Sequence, residues 1–265
     1  MLRERAAIAK QFNKHRRLAL FSFIIIASLW SLFSYGKLVG ELFLPTPGAV
    51  VVAINEMYNE GILFEYTLAS LYRVTVGWLM AVIVSIPLGI LIATSKNAEA
   101  LFGPSIEFAR YLPVVALVPL TVLYFGIGDM QKFVIIFLGT FFQLVLMVSD
   151  VVANVSRDLM RAAATLGASK WQQYRLVLLP ASLPGIMDSL RITIGWAWTY
   201  LVVAELVAAN SGLGYMILKA QRFLATDRIF AGLIIIGILG LLTDYFFKWM
   251  TKVVVPWSEK AGGKS

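Results

Sequence analysis

The chain of 265 residues is 59% hydrophobic and only 14% charged, whereas soluble domains carry about 25% charged residues. This composition is typical of an integral membrane protein and excludes an ordinary soluble domain. The net charge of +8 is not gathered into a basic patch with interleaved aromatic residues, so we expect no nucleic-acid partner.

The amino-terminal part predicts a cytoplasmic start and a first membrane span. Residues 1–17 contain six Lys and Arg side chains and precede an apolar run over residues 18–35, which is long enough to span the bilayer once its flanks are included. A signal peptide has the same order, but Tyr-Gly-Lys at residues 35–37 is a poor cleavage site, so we expect an uncleaved helix. Residues 37–66 are acidic and include a predicted surface helix over residues 49–58, which fits the outer face.

Three further apolar runs follow. Residues 67–94 and 133–152 predict the second and fourth spans. Between them, the apolar residues 101–125 are interrupted by Pro104, Pro113 and Pro119, which lack backbone donors and disfavour a continuous helix. We therefore expect a broken third span.

A polar stretch, residues 157–180, then interrupts the series of apolar segments. It carries four Lys and Arg side chains against one acid, so we expect it on the cytoplasmic side. Its alanines favour a helix, Gly167 permits a sharp turn, and residues 170–179 can form a second helix that Pro180 ends. The stretch therefore predicts a compact helix, turn and helix that contacts a cytoplasmic partner.

Residues 184–208 and 229–250 predict the fifth and sixth spans, joined by an outer loop over residues 210–228. This arrangement places fifteen Lys and Arg residues inside and five outside, which predicts that both termini are cytoplasmic. The five outside are Lys37, Lys132, Lys219, Arg222 and Arg228. The expected divisions are a basic segment (1–17), a transmembrane domain (18–250) and a cytoplasmic tail (251–265). The tail ends in Gly-Gly-Lys-Ser, but Ser258 stands where a phosphate-binding loop needs its first Gly, so we expect no nucleotide site and no cofactor in this chain.

Three arginines, Arg73, Arg110 and Arg191, lie within or at the edges of the predicted spans. A charge at the bilayer centre is costly, so each should face protein or water. For Arg110 and Arg191 we expect snorkelling or pairing with an acid three residues away. Arg73 and Glu205 lie near the outer ends of the second and fifth spans and are our candidate pathway or gate residues. They could pair with each other, or Arg73 could meet an anion.

The polar stretch also carries a resemblance to a known family. It matches, position for position, the EAA signature of the membrane subunits of ATP-binding-cassette (ABC) importers, through Arg161-Ala162-Ala163, Gly167, Val177 and Leu179-Pro180. The departure is Arg161, which stands where the family usually has Glu. In that family the segment is a coupling helix that docks in a groove of the ATPase subunit, which implies as coupling residues Arg161, Ala162, Ala163, Leu166, Gly167, Leu179 and Pro180. The alternative is a basic loop that only links two membrane helices.

Other motifs resemble the branch of this family that carries nitrate, sulfonates, taurine and bicarbonate. They include Leu-Pro-Thr-Pro at residues 44–47, Phe-Gly-Ile-Gly at 125–128 and Ser-Gly-Leu-Gly-Tyr at 211–215. Residues 223–227 and Pro256-Trp257 look most like taurine and alkanesulfonate permeases.

The resemblance implies an all-α integral membrane protein with six transmembrane helices, the type I importer permease fold, in the cytoplasmic (inner) membrane of a bacterium. Its implied partners are a second copy of itself, two cytoplasmic ATP-binding subunits that hydrolyse ATP, and an external substrate-binding protein. The implied cargo is a small anion of the taurine or alkanesulfonate kind, moved by alternating access. Nitrate, bicarbonate or a small nitrogen-containing organic nutrient is the alternative cargo.

Two other classes of membrane protein compete with a transporter. An intramembrane enzyme would need a polar constellation inside the spans. The chain has no cysteine, its single histidine, His15, lies in the basic amino-terminal segment, and Ser85, Ser149 and Ser189 have no identifiable base. We therefore expect no catalytic and no metal-binding residues. A channel that gates without ATP is compatible with the composition.

Overall fold

The structure of the protein, a computed structural model, describes Leu18 and residues 21–258. The expected cytoplasmic segment over residues 1–17 lies outside the described residues, as does most of the expected tail. The described chain is built from helices, and in chain order they are α1 (Phe21–Tyr35), α2 (Pro47–Asn59), α3 (Ile62–Thr94), α4 (Lys96–Ala109), a 3-10 helix (Val114–Leu117), α5 (Val118–Phe125), α6 (Asp129–Ala153), α7 (Arg157–Thr165), α8 (Lys170–Ala208), α9 (Leu213–Arg222) and α10 (Thr226–Val254).

Four helices within the described residues, α3, α6, α8 and α10, are long and apolar enough to cross a membrane. The bent pair formed by α4 and Val114–Phe125 makes a fifth if it counts as one span. The expected first span corresponds to α1, which is apolar but shorter. The all-α class is therefore confirmed for the described residues, and the count of six spans stays a prediction.

The expected break in the third span is confirmed. The axes of α4 and Val114–Phe125 are bent by 84° relative to each other. Pro113 precedes the 3-10 helix as its N-cap, and Pro119 lies in the first turn of α5. Proline is tolerated at both places because the first turn of a helix has no partner for its backbone N–H.

The helix that begins at Lys170 does not end at Pro180, so that prediction was wrong. It continues as α8 to Ala208, 39 residues in all. Gln173–Leu178 is π-helical, and the regular α-helix starts at Leu179, so Pro180 falls in its first turn. A wider turn immediately before the proline accommodates the missing hydrogen bond, which is how a helix passes a proline without stopping.

The expected outer loop over residues 210–228 also differs, because it contains α9 and the start of α10. The buried side chains of α9 are Leu213, Met216, Ile217 and Ala220. This spacing of three, four and seven residues is the pattern of an amphipathic helix. The signal was present in the sequence, although the two glycines beside it favoured a loop.

The described chain divides into two compact units, and the larger consists of Phe64–Ile217 and the residues from Leu233 onward. In this unit glycines let α3 and α6 approach closely. A Cβ added to Gly77 would lie 2.8 Å from the Cβ of Ile136, and one added to Gly89 would lie 2.7 Å from the carbonyl oxygen of Val145. Small residues at such crossings are typical of helix packing in membranes, where dispersion contacts replace the hydrophobic effect.

The smaller unit contains the described residues up to Leu63 and Leu218–Gly232. Its α2 confirms the helix expected over residues 49–58 and starts at Pro47, because the Thr46 side chain accepts a hydrogen bond from the backbone N–H of Ala49 at 3.2 Å. The indole N–H of Trp30 donates to the Pro45 carbonyl at 2.8 Å, and its ring stacks on Phe230.

Candidate functional site

The polar stretch forms a helix followed by a tightly specified turn. The turn that follows α7 contains Gly167 at a φ of 81°, in the left-handed region that favours glycine. The N–H of Ala168 donates to the Ala163 carbonyl, and the N–H of Gly167 donates to the Ala164 carbonyl, each at 3.0 Å. This pair of bonds is the Schellman motif, which satisfies the last carbonyls of a helix. The glycine turn expected from the sequence is therefore present.

The residue that follows the turn starts the next helix. The Ser169 side chain accepts from the N–H of Gln172, and the Gln172 side chain accepts from the N–H of Ser169 at 2.8 Å. This reciprocal capping box fixes where α8 begins. Local hydrogen bonds therefore hold the segment Leu166–Ser169 at both of its ends.

The side chains of this segment are largely exposed. No residue of α7 is buried, and Leu166 and Trp171 are 89% and 70% exposed. The Arg161 guanidinium lies 3.4 Å from the Asp158 carboxylate, but both side chains are exposed, so this ion pair contributes little to stability. Large apolar side chains in a polar, exposed segment are typical of a surface that another protein covers.

A second polar cluster lies at the other end of α8 and centres on Arg73, which is 6% exposed. Its Nε donates to Asp129 Oδ1 at 2.7 Å, and one of its terminal nitrogens, Nη1, donates to Glu205 Oε1 at 2.7 Å. The same nitrogen also donates to the Ser211 carbonyl at 2.7 Å, and Nη2 donates to Ser211 Oγ at 2.9 Å. Four of the five N–H groups of the guanidinium therefore bind protein atoms, and they join α3, α6, α8 and the loop before α9.

The carboxylate of Glu205 is fully buried. Besides the guanidinium, it accepts from the Ser70 hydroxyl at 3.0 Å and from the backbone N–H of Gly214 at 2.8 Å. Ser70 in turn accepts from the N–H of Leu213 at 2.9 Å. A buried carboxylate is tolerated only when it is paired and hydrogen-bonded in this way.

The loop before α9 depends on two glycines for its approach to Glu205. Gly212 has a φ of 108°, and a Cβ there would overlap the Glu205 carboxylate. A Cβ on Gly214 would lie 2.7 Å from the Cβ of Glu205. The Ser-Gly-Leu-Gly sequence therefore lets the backbone close over the buried acid.

Lys132 adds a second buried cation near this cluster. It was counted as an outer-loop charge in the topology, but it lies in the first turns of α6 and is only 2% exposed. Its ammonium donates to the carbonyls of Gly128 at 2.9 Å and Ala208 at 2.7 Å. Because Ala208 is the last residue of α8, the cation neutralises the negative end of that helix.

The candidate residues expected from the sequence thus fall into three places. Arg73 and Glu205 are brought together as an ion pair. The exposed segment holds Arg161, Ala162, Ala163, Leu166 and Gly167, whereas Leu179 and Pro180 lie at the start of the regular part of α8. Sequence reasoning missed Ser70, Asp129 and Ser211. The remaining membrane arginine with a carboxylate partner, Arg191, contacts Asp244 of α10. Within the described residues, no group of His, Cys, Asp and Glu is arranged to hold a metal ion.

Comparison with known proteins places these features in a family. Residues 85–258 match the family described as binding-protein-dependent transport system inner membrane component. SsuC of Bacillus subtilis (strain 168), named for aliphatic sulfonates transport, is 35% identical over 239 residues, which cover 90% of this chain and 87% of SsuC. The taurine transport system permease protein TauC of Escherichia coli (strain K12) is 34% identical over 245 residues, which cover 91% of this chain and 89% of TauC.

A solved structure has the same fold. A chain of the MetNI methionine ABC transporter, in an inward-facing conformation, aligns with a TM-score of 0.64 at 22% sequence identity, covering 74% of this chain and 97% of that chain. The similar curated proteins are named as permeases, which confirms the expectation of a transporter subunit and not an enzyme. The resemblance first seen in the polar stretch thus extends over most of the molecule, and the chain belongs to the inner membrane components of binding-protein-dependent transport systems, the permease subunits of ABC importers.

Proposed function

We propose that this permease carries a small organic anion of the taurine or alkanesulfonate kind into the cell. The observation that carries the proposal is the similarity to two relatives named for aliphatic sulfonates and taurine, at 35% and 34% identity over nine-tenths of the chain. A chain this similar along its whole length shares the scaffold of its relatives. Its cargo is a further step, which rests on the substrates for which these two relatives are named.

The proposed complex contains two copies of this chain, two cytoplasmic ATP-binding subunits and an external binding protein. Each permease has six spans, with both termini in the cytoplasm, in keeping with the excess of Lys and Arg residues on the predicted inner side. ATP hydrolysis takes place in the partner subunits. Closure of these subunits drives the pathway between outward and inward openings.

The exposed segment formed by α7 and Leu166–Ser169 is the proposed contact with the ATPase. It presents Leu166 as an apolar contact, with the exposed Trp171 just beyond it in the first turn of α8. Its turn is fixed by the Schellman motif and the capping box. A rigid turn of this kind transmits a displacement instead of absorbing it. The proposed coupling residues are those expected from the sequence, including Leu179 and Pro180 at the start of the regular part of α8.

The Arg73 cluster is the proposed latch at the outer end of the pathway. Its guanidinium ties three helices and one loop through four hydrogen bonds. Only one N–H of the guanidinium is left for any other group. This favours a structural role, in which the ion pair holds the outer end together, and disfavours direct contact with the cargo. Opening of that end would separate Arg73 from Glu205 or move the cluster as a unit.

Uptake measurements test the proposed cargo. We expect cells that produce the permease with the ATPase and binding protein encoded beside it to accumulate labelled taurine and ethanesulfonate. The matched control is the same complex with an inactive ATPase, which should take up neither compound. Uptake of nitrate or bicarbonate but of no sulfonate would contradict the proposed cargo, and uptake that is independent of ATP would indicate a channel.

Arg161 provides a test of the electrostatics of docking. If the groove of the ATPase has adapted to a cation, Arg161→Glu should lower co-purification of the ATPase by about two- to fivefold at low salt. The loss should diminish at high salt, because exposed charges are screened. Lys252→Glu changes the net charge equally outside the coupling segment and should have no effect. Unchanged co-purification of the Arg161→Glu variant at every salt concentration would mean that this side chain faces solvent.

A further inference from the structure

Arg110 differs from the other two arginines of the predicted spans. Arg73 is paired with Glu205 and Asp129, and Arg191 is paired with Asp244. Among the described residues Arg110 has no carboxylate partner. Its guanidinium donates to the Tyr111 hydroxyl at 2.8 Å and lies 4.7 Å from the centre of the Tyr111 ring. Both side chains are exposed, and no carboxylate among the described residues neutralises the positive charge of Arg110.

The position of Arg110 places this charge at the break of the third span. It is the residue that ends α4, just before the 84° bend. Breaks of this kind at membrane depth are tolerated where the freed backbone is buried in protein or lines a water-filled cavity. In secondary transporters, a different class of transporter, interrupted helices form the site where cargo is bound.

A cleft of about 300 Å³ opens beside this break. The break supplies Arg110, α6 supplies Phe142 and Gln143, and α8 supplies Trp196 and Thr199. Gln143 lies near the middle of α6, which runs from Asp129 to Ala153, so the cleft lies close to the centre of that span. A cation, an amide and a hydroxyl thus line a cavity in an otherwise apolar part of the chain.

The unneutralised charge limits what the cleft can hold. A cation at this depth needs water or an anion, because lipid cannot solvate it. A guanidinium presents planar donors that match the oxygens of a sulfonate or carboxylate. The amide and hydroxyl add donors, while the Trp196 and Phe142 rings provide walls for a short apolar tail. The cleft volume is at the small end of the range for ligand sites, which suits a small molecule.

We propose that this cleft is an anion-binding subsite for small organic sulfonates or carboxylates, and that Arg110 contacts the anionic group directly. The assignment of the bound anion as cargo rests on the proposed function. The anion site itself rests on the unpaired guanidinium, the broken span and the polar lining of the cleft.

The test measures binding of trifluoromethanesulfonate, a small sulfonate, by fluorine NMR. The full-length permease is purified with its ATPase and placed in lipid nanodiscs, and the binding protein is omitted because it would bind sulfonates itself. The wild-type complex should broaden the fluorine line, and excess taurine should reverse the broadening. Arg110→Gln should weaken binding by about tenfold, the loss expected for one charge-assisted contact. Arg110→Lys should retain part of the binding.

The control is Arg222→Gln, which removes the same charge from an exposed position of α9. This variant should broaden the fluorine line of trifluoromethanesulfonate as much as the wild type does. A second control uses the neutral probe trifluoroacetamide, whose line width should be the same with the wild type and with Arg110→Gln. Absence of binding to the wild type, or equal binding to Arg110→Gln, overturns the site. Dissociation of the two permease copies in Arg110→Gln, seen by size-exclusion chromatography, also overturns it, because Arg110 would then contact the second copy.

The uptake assay separates this result from the proposed function. If the wild-type complex transports taurine but Arg110→Gln binds the sulfonate probe as well as the wild type does, the subsite alone is overturned. A wild-type complex that binds the probe through Arg110 but transports no sulfonate overturns the proposed cargo and leaves the anion site standing.

Discussion

Replacing Arg73 with Gln should lower the stability of the permease by about 3–5 kcal/mol, the usual cost of removing one partner from a buried ion pair. The reason is that Glu205 is fully buried and would lose the guanidinium that pairs with its carboxylate. The measurement is the apparent melting temperature of the purified complex, followed by fluorescence-detected size-exclusion chromatography. The matched control, Arg222→Gln, removes an exposed arginine and should leave the melting temperature unchanged.

A double substitution shows whether the loss of stability comes from breaking the ion pair or from changing the packing of each side chain separately. Glu205→Gln alone should also destabilise, since it leaves Arg73 with Asp129 as its remaining carboxylate. Arg73→Gln combined with Glu205→Gln should cost less than the sum of the two single changes, because no unpaired charge is left at the Glu205 position. Additive losses would mean that the two side chains act independently, and the latch would then have no electrostatic basis.

The latch also predicts a functional change in variants that still assemble. If the cluster holds the outer end of the pathway together, a weakened cluster should let the complex hydrolyse ATP with less dependence on the binding protein. Assembled variants whose ATPase activity still requires the binding protein as strictly as the wild type would argue for a purely structural cluster.

The features that could be predicted from the sequence are those for which the chemistry of one residue type allows few structural alternatives. Proline disfavours a continuous helix, so the break at Pro113 was visible, although Pro104, which was also expected to interrupt this span, lies inside α4. A charge in an apolar span is costly, so Arg73 and Glu205 each needed a partner, and their similar depth suggested each other. Gly167 was recognisable because few other residues accept the left-handed backbone of a Schellman turn.

The rest depended on contacts that many sequences can make. Ser70, Asp129 and Ser211 are ordinary polar residues, and only the packing of α3, α6 and α8 shows that they meet one guanidinium. Lys132 looked like an outer-loop charge, because nothing local reveals that its long side chain reaches the end of α8. Proline usually ends a helix, and the π-helical turn before Pro180 follows from no simple pattern.

Arg110 illustrates the same limit. Local pairing or snorkelling was expected, since Glu107 is three residues away on the same predicted helix. In the structure the guanidinium turns to Tyr111 at the break, so the local pair does not form among the described residues. The cleft depends on side chains from three separate elements, and this assembly is what sequence spacing cannot supply.

Replacing Gly167 with Val should uncouple ATP hydrolysis from transport or release the ATPase, while the membrane helices keep their stability. At this position the φ is 81° and an added Cβ would meet no atom within 4 Å. The cost is therefore conformational and not a matter of crowding. A left-handed conformation costs an ordinary residue about 1–2 kcal/mol and is a genuine outlier for a β-branched one.

This distinction selects the control for the Gly167 experiment. Asn accepts the left-handed conformation better than other residues, and open space surrounds the position, so Gly167→Asn should keep most of the coupling. Gly167→Val should instead move the exposed Leu166 and the Ser169 cap away from their native places, because the chain reverses direction between them. The measurements are co-purification of the ATPase and the ratio of cargo transported to ATP hydrolysed, with the melting temperature as a check on folding. Equal coupling in the Val and Asn variants would mean that the shape of this turn does not transmit the motion, and the contact with the ATPase would then have to be carried by α7 alone.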